Sequence, residues 1–362
     1  MPGKVRQWPA WREYGIDLAD EVKDPDFLKA KQQVIDEYGE ERLRKSWVAV
    51  CEELAKVTDE IASQGNATIP ILQAESLLAH GFSSGDLDSI RRTGCFIVRG
   101  VIPRAETETL YRNLRDYIEL NKKQIKGWPE ESPAMLMLYD SPTQNAIRSH
   151  PNHLRLQRMV NELWHDESAE TSPDPLIYLD GVRDRPPGQP FLGLGPHVDA
   201  GSLCRWADLD YRGVYDSVLS GRALEHDAWD LGARKDADQG LFPGPAQSTM
   251  FRSFQGWTAL TRAAPNEGTL LLYPSLVATI AYTILRPFFR PPAGPGDVMD
   301  PARWTLDASG SFPGTEKPHS QYLSRSSHPH LRLEECLVHI PVMEAGDTVW
   351  WHCDVSDCGG HP

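Results

Sequence analysis

The chain of 362 residues is 40% hydrophobic and 24% charged, with a formal net charge of -14 at pH 7. That length buries a large core, with two domains as the soft prior, and the acidic balance argues against nucleic acid or an anionic membrane as partner, since the net field repels both. Cysteines scattered at 51, 95, 204, 336, 353 and 358 make no disulfide framework, no stretch reaches the roughly 18 apolar residues of a membrane span, and Met1 to Asp24 is charged throughout, so a cytoplasmic protein acting on a small molecule is expected.

In chain order, the first predicted element is an amphipathic helix from about Phe27 to Ser63. Leu43, Trp47, Val50, Leu54, Val57 and Ile61 recur at steps of four and three, with Glu, Lys and Arg between them. The run Cys95-Phe96-Ile97-Val98-Arg99, flanked by Gly94 and Gly100 and followed by Pro103, reads as a buried strand. Ala105 to Asn121 has helical spacing in Leu110, Leu114, Tyr117 and Ile118. Residues 122–190 read as loop-rich, with a short helix near Asn152 to Trp164 and a strand at Leu176 to Asp180. Arg183 and Arg185, in a charged turn, either pair with local carboxylates or receive an acidic substrate.

That turn leads into Gly193-Leu194-Gly195-Pro196-His197-Val198-Asp199-Ala200-Gly201-Ser202. In an extended segment the side chains at i and i+2 leave the same face, so His197 and Asp199 point toward one interior point. An imidazole and a carboxylate, joined by a second imidazole from far along the chain, make the two-His-one-carboxylate triad that holds non-haem Fe(II) and leaves positions open. The pattern recurs at His352-Cys353-Asp354, and context separates the two. Only His197 has enough chain after it to complete a barrel, and it sits among Gly193, Gly195, Pro196 and Gly201, residues that let a backbone bend and approach a ligand.

Residues from about 205 to 240 carry Trp206, Tyr211, Tyr215 and Trp229 among many acids and read as a helical insertion over the mouth of the fold. Strands resume at Met250 to Leu260 and Glu267 to Pro274. If alternation holds, Arg252 shares a face with Phe254 and Gly256, and an interior guanidinium requires an anionic partner. A carboxylate cosubstrate is the candidate. Residues 291–330, dense in Pro, Gly, Ser and His, read as an exposed loop with His319, His328 and His330 facing solvent. The last two strands fall at Cys336 to Pro341 and Gly346 to Cys353.

Five motifs carry a resemblance: Arg99-Gly100-Val101, Gly195-Pro196-His197-Val198-Asp199-Ala200-Gly201-Ser202, Phe251-Arg252-Ser253-Phe254-Gln255-Gly256-Trp257, Glu267-Gly268-Thr269-Leu270, and Gly346-Asp347-Thr348-Val349-Trp350-Trp351-His352-Cys353-Asp354. From about Gly94 to Val355 the chain resembles the Fe(II)/2-oxoglutarate oxygenases. Within them it is most similar to a microbial group catalogued as domain of unknown function 1479, related to phytanoyl-CoA hydroxylase. The resemblance implies a mainly β fold with flanking helices (α+β), a double-stranded β-helix or jelly roll. Residues 1–89 would then be an N-terminal helical region. Residues 90–362 would be the oxygenase domain, with the insertion at about 205–240 and a loop excursion at about 291–330. It also implies Fe(II), 2-oxoglutarate and O2, release of succinate and CO2, and hydroxylation, desaturation or ring closure of the substrate.

On this resemblance His197 and Asp199 are metal ligands and Arg252 is the candidate for binding the cosubstrate. His352 is the expected third ligand. In the related hydroxylases a histidine at that place is followed a few residues later by the actual ligand, a slot that falls here at about Asp357, so Asp357 and His361 are the alternatives. The family's further strand, with its arginine for the distal carboxylate of 2-oxoglutarate, has no counterpart before Pro362. A catalytically silent relative with an incomplete iron site is therefore the rival expectation, and a redox-inactive cupin-like binding module is a third.

Overall fold

The computed structural model describes residues 1–15, 24–186, 188–189, 193–244, 247–248 and 250–359. Its first helix, Pro25–Gln64, is capped by Asp24, whose side chain accepts from the Asp26 N–H, and Pro25 fits where no helical donor is needed. The stripe Leu43, Trp47, Val50, Leu54 and Ile61 is buried. Gly39 interrupts the rod at φ 76°, ψ 157°, so two helical segments meet at a kink. Lys31 lies on the same buried face, where its ammonium donates to Pro287 O at 2.6 Å, Ser311 O at 2.5 Å and Asp307 Oδ2 at 3.1 Å. Those bonds tie the helix to residues 256 to 280 positions on and satisfy an otherwise costly buried charge.

The architecture is mixed α/β, with several sheets. One sheet orders the strands Ile71–Gln73, Cys95–Arg99, Thr348–His352 and Phe254–Thr258. A second orders Gln321–Tyr322, His197–Val198, Asp357–Gly359, Leu270–Leu272 and Val338–His339, every pair antiparallel. The strands Thr348–His352 and Asp357–Gly359 are consecutive in sequence yet belong to different sheets. The main hydrophobic core joins the long helix, strands of both sheets and the Val277–Leu285 helix, which is buried from Ala278 onward on every side.

Two of the sequence motifs form one unit. Gly346 adopts φ 95°, and a Cβ there would lie 2.0 Å from Ile102 O, so the turn admits only glycine. Asp347 then accepts from Arg99 Nη1 at 2.5 Å, Gly100 N at 2.9 Å and Glu344 N at 2.8 Å. The Arg99-Gly100 and Gly346-Asp347 segments are thereby locked together where two adjacent strands of the first sheet begin and end.

Three expectations are corrected. Leu176 to Asp180 is not a strand, because no ladder partner reaches it among the described residues. Residues 291–330 are irregular but not an exposed excursion: Trp304, Phe312, Leu323, His328 and His330 are buried. Their polar neighbours are satisfied internally, as in Thr315 Oγ1 to Gln321 Oε1 at 2.5 Å and Ser327 Oγ to His328 Nδ1 at 2.7 Å, so a polar composition does not require solvent. The strand containing Phe254 begins at that residue, and strict alternation does not extend back to Arg252. Short helices do occupy the start of the aromatic segment, at Cys204–Ala207, Leu209–Val214 and Asp216–Leu219. No helix among the described residues is long and apolar enough to cross a membrane.

Candidate metal centre

His197 and Asp199 come together as the i, i+2 spacing requires, with Nε2 and Oδ1 3.1 Å apart. Asp357 stands opposite His197 in the antiparallel register, its Oδ1 3.8 Å from the same Nε2. One ligand atom from each of His197, Asp199 and Asp357 lies within 4.8 Å of the other two. His197 Nδ1 is 2.7 Å from Gly195 O. A carbonyl only accepts, so Nδ1 carries a proton and Nε2 is the atom aimed at the carboxylates, the arrangement that orients a ligating imidazole. Asp199 Oδ1 accepts from Ser320 Oγ at 3.1 Å. Asp357 Oδ1 is buried with no hydrogen-bond partner among the described residues.

The three groups bias one another strongly. For His197 burial works against the charged form, but the Asp357 and Asp199 carboxylates outweigh it and push the imidazole up to about 10. Burial would raise Asp199, yet His197, with Arg252 and Gln255 assisting, holds it well below the usual carboxylate range. Asp357 is pushed up to about 7, by burial first and by the Asp199 charge, against the pull of His197. Two carboxylates and one imidazole thus share a buried site in which the second carboxylate is costly to ionise. A divalent cation removes that cost.

His352, the expected third ligand, is elsewhere, and this expectation is corrected. It ends the strand Thr348–His352 of the first sheet. Its Nε2 donates to Ala228 O at 3.0 Å and its Nδ1 accepts from Asp354 N at 3.0 Å. Both ring nitrogens are spent, and the ring is packed against Trp164 and Trp229. The chain turns after His352 and enters the second sheet at Asp357, so Asp357 is the tail residue that reaches His197. His352, Cys353 and Asp354 also cluster, but Asp354 is committed to Arg234 Nη2 at 2.6 Å and Tyr215 Oη at 3.0 Å, leaving that group no free donor set. The alternative His361 lies outside the described residues.

The Gig2-like family model matches residues 21–357. The chain belongs to the Gig2-like family. YbiU of Escherichia coli (strain K12) is 31% identical to the Gig2-like chain over 309 residues, 82% of this chain and 69% of that protein. The crystal structure of GlcNAc Inducible Gene 2, GIG2 (DUF1479), from Candida albicans superposes with a TM-score of 0.82 at 27% identity, covering 92% of this chain and 72% of that one. A protein of Salmonella typhimurium LT2, described provisionally as an oxidoreductase, superposes with a TM-score of 0.78 at 26% identity, covering 96% and 83%. The narrower part of the resemblance, to the domain-of-unknown-function 1479 group, is thus shown.

In this Gig2-like chain Arg252 lines a small cavity with Asp199, Gln255 and Cys353, and its guanidinium lies 5.3 Å from the centroid of the Tyr178 ring. The structure therefore brings Arg252 beside the centre by a route other than the face expected for it, since Phe254 packs against Phe96 and Trp164. Ser320 and Gln255 were not legible as site residues. Ser320 sits in the segment whose composition reads as surface loop, and only the pairing of Gln321–Tyr322 with His197–Val198 delivers it to Asp199.

Proposed function

We propose that this chain is a non-haem, metal-dependent oxidoreductase that uses Fe(II), 2-oxoglutarate and O2 to oxidise a small-molecule substrate, releasing succinate and CO2, on a jelly roll formed by the two larger sheets. The observation that carries the reading is the convergence of His197, Asp199 and Asp357 on one point. The motif resemblance supports it, as does the provisional description of the Salmonella typhimurium relative.

The residues fit a divalent cation. Asp357 Oδ1 is a buried oxygen without a hydrogen-bond partner among the described residues, His197 Nε2 is aimed at it, and two carboxylates balance the charge. The set is one imidazole and two carboxylates rather than two imidazoles and one carboxylate, and so is harder and richer in oxygen. When bound, Fe(II) would supply the redox-active centre at which O2 reacts, with the electrons that O2 accepts coming net from 2-oxoglutarate and the substrate. The chain's own groups do the positioning. Gly195 O fixes the His197 ring, Ser320 holds Asp199, and Arg252 binds the carboxylate of 2-oxoglutarate by a charge-assisted hydrogen bond.

Anaerobic addition of Fe(II) and 2-oxoglutarate tests the reading. A metal-to-ligand absorption band is expected in the intact protein and is expected to vanish in His197→Ala; no band in the intact protein overturns it. A second reading, a catalytically silent metal-binding relative, is favoured by the aspartate that stands where the resemblance expects a histidine. It predicts that the cation binds while succinate forms no faster than in His197→Ala.

A further inference from the structure

Residues 172–181 run as a strap beside the centre. At one end Asn161 Nδ2 donates to Pro173 O at 3.0 Å and Arg158 pairs with Asp174. At the other Asp180 accepts from Arg148 Nη2 at 2.8 Å and from Gln144 Nε2 at 2.5 Å. Between these tethers Leu176, Ile177 and Leu179 are 81%, 72% and 62% exposed. Met135 and Met137 extend the apolar surface, at 37% and 54% exposed, and a Cβ on Gly181 would lie 3.0 Å from Met135 Cε. Consecutive large apolar side chains held in water by polar anchors at both ends mark a binding surface rather than an ordinary loop.

The strap adjoins the centre at Tyr178, which lies beneath the Arg252 guanidinium. Arg183 is exposed and paired in register with Met135. Arg183 forms no ion pair within 4 Å among the described residues, so it is a cation at the edge of an apolar surface in a chain whose net charge of -14 otherwise repels anions. We propose that the substrate is an amphipathic anion, a carboxylic acid with an extended apolar body, whose head pairs with Arg183 and whose body lies on Leu176, Ile177 and Leu179 beside Met135 and Met137. This substrate class rests on the metal-dependent function proposed above and leaves Arg252 to the cosubstrate.

Calorimetric titration of the intact protein with decanoate, hexanoate and decanol, with and without Mn(II), tests it. Each buried methylene strengthens binding severalfold, so decanoate is expected to bind at least tenfold more tightly than hexanoate. The variant Leu176→Ser/Ile177→Ser/Leu179→Ser is expected to weaken decanoate at least tenfold with unchanged circular dichroism and Mn(II) affinity, because the three side chains are exposed. Arg183→Gln is expected to erase the preference for decanoate over decanol. Equal decanoate affinity in the triple variant and the parent overturns the proposal, as does a parent dimer that the triple variant abolishes, which would assign the strap to a second copy of the chain. Failure of Mn(II) to bind the parent instead overturns the metal-dependent function, a failure that the strap-dependent binding of decanoate does not share.

Discussion

The His352 imidazole lies flat on the Trp164 indole, ring centroids 4.5 Å apart and planes 17° from parallel. Packed there with both nitrogens bonded, His352 acts as a core residue. His352→Ala is expected to cost about 2–4 kcal/mol of stability, as truncation of a large buried side chain does, while Mn(II) affinity stays within about twofold. Urea unfolding and calorimetric titration read the two effects separately. Loss of Mn(II) binding as large as in His197→Ala would make His352 a ligand after all.

Asp357 has the opposite signature. Asp357→Asn removes an anionic ligand while keeping its shape, so Mn(II) affinity is expected to fall at least about hundredfold. With chelator present the variant is expected to be no less stable than the parent, because a neutral amide replaces a buried carboxyl that burial and Asp199 push up to about 7. A variant that binds Mn(II) like the parent would remove Asp357 from the centre.

The ion pair of Arg234 and Asp354 is fully buried, N to O 2.6 Å. Asp354→Asn leaves the guanidinium without its counter-charge and is expected to cost about 3–5 kcal/mol. Arg234→Met/Asp354→Leu is expected to recover part of that loss, since it removes both charges together. Urea midpoints of the parent and the two variants check the order.

Acid should destabilise the fold before most of the carboxylates titrate, Asp357 at about 7 being the exception. Burial holds His226 and His330 down to about 4, His352 to about 3, and His328 well below its ordinary value of 6.5. In each case the folded value lies below the unfolded one, so the unfolded chain binds more protons as pH falls below about 6.5. The stability contributed by these neutral rings is fully present above that pH and is lost on the way down to about 4. With chelator present, the urea midpoint is expected to drop between pH 7 and pH 5; a flat profile would refute the assignment of these rings as buried and neutral.

The sequence by itself determined what is local. The helical stripe of Leu43 to Ile61, the strand at Cys95–Arg99 and the pairing of His197 with Asp199 follow from periodicity and from the two-residue repeat of a strand. The Val277–Leu285 helix lacks the polar face from which a period is read, and the buried 291–330 segment hides its packing behind a polar composition. Only the tertiary structure decided between His352 and Asp357. They are five positions apart, and which of them faces His197 depends on the chain leaving one sheet after His352 and entering the other at Asp357. Strand pairing between residues 160 positions apart is set by the packing of the whole core, and no local pattern encodes it.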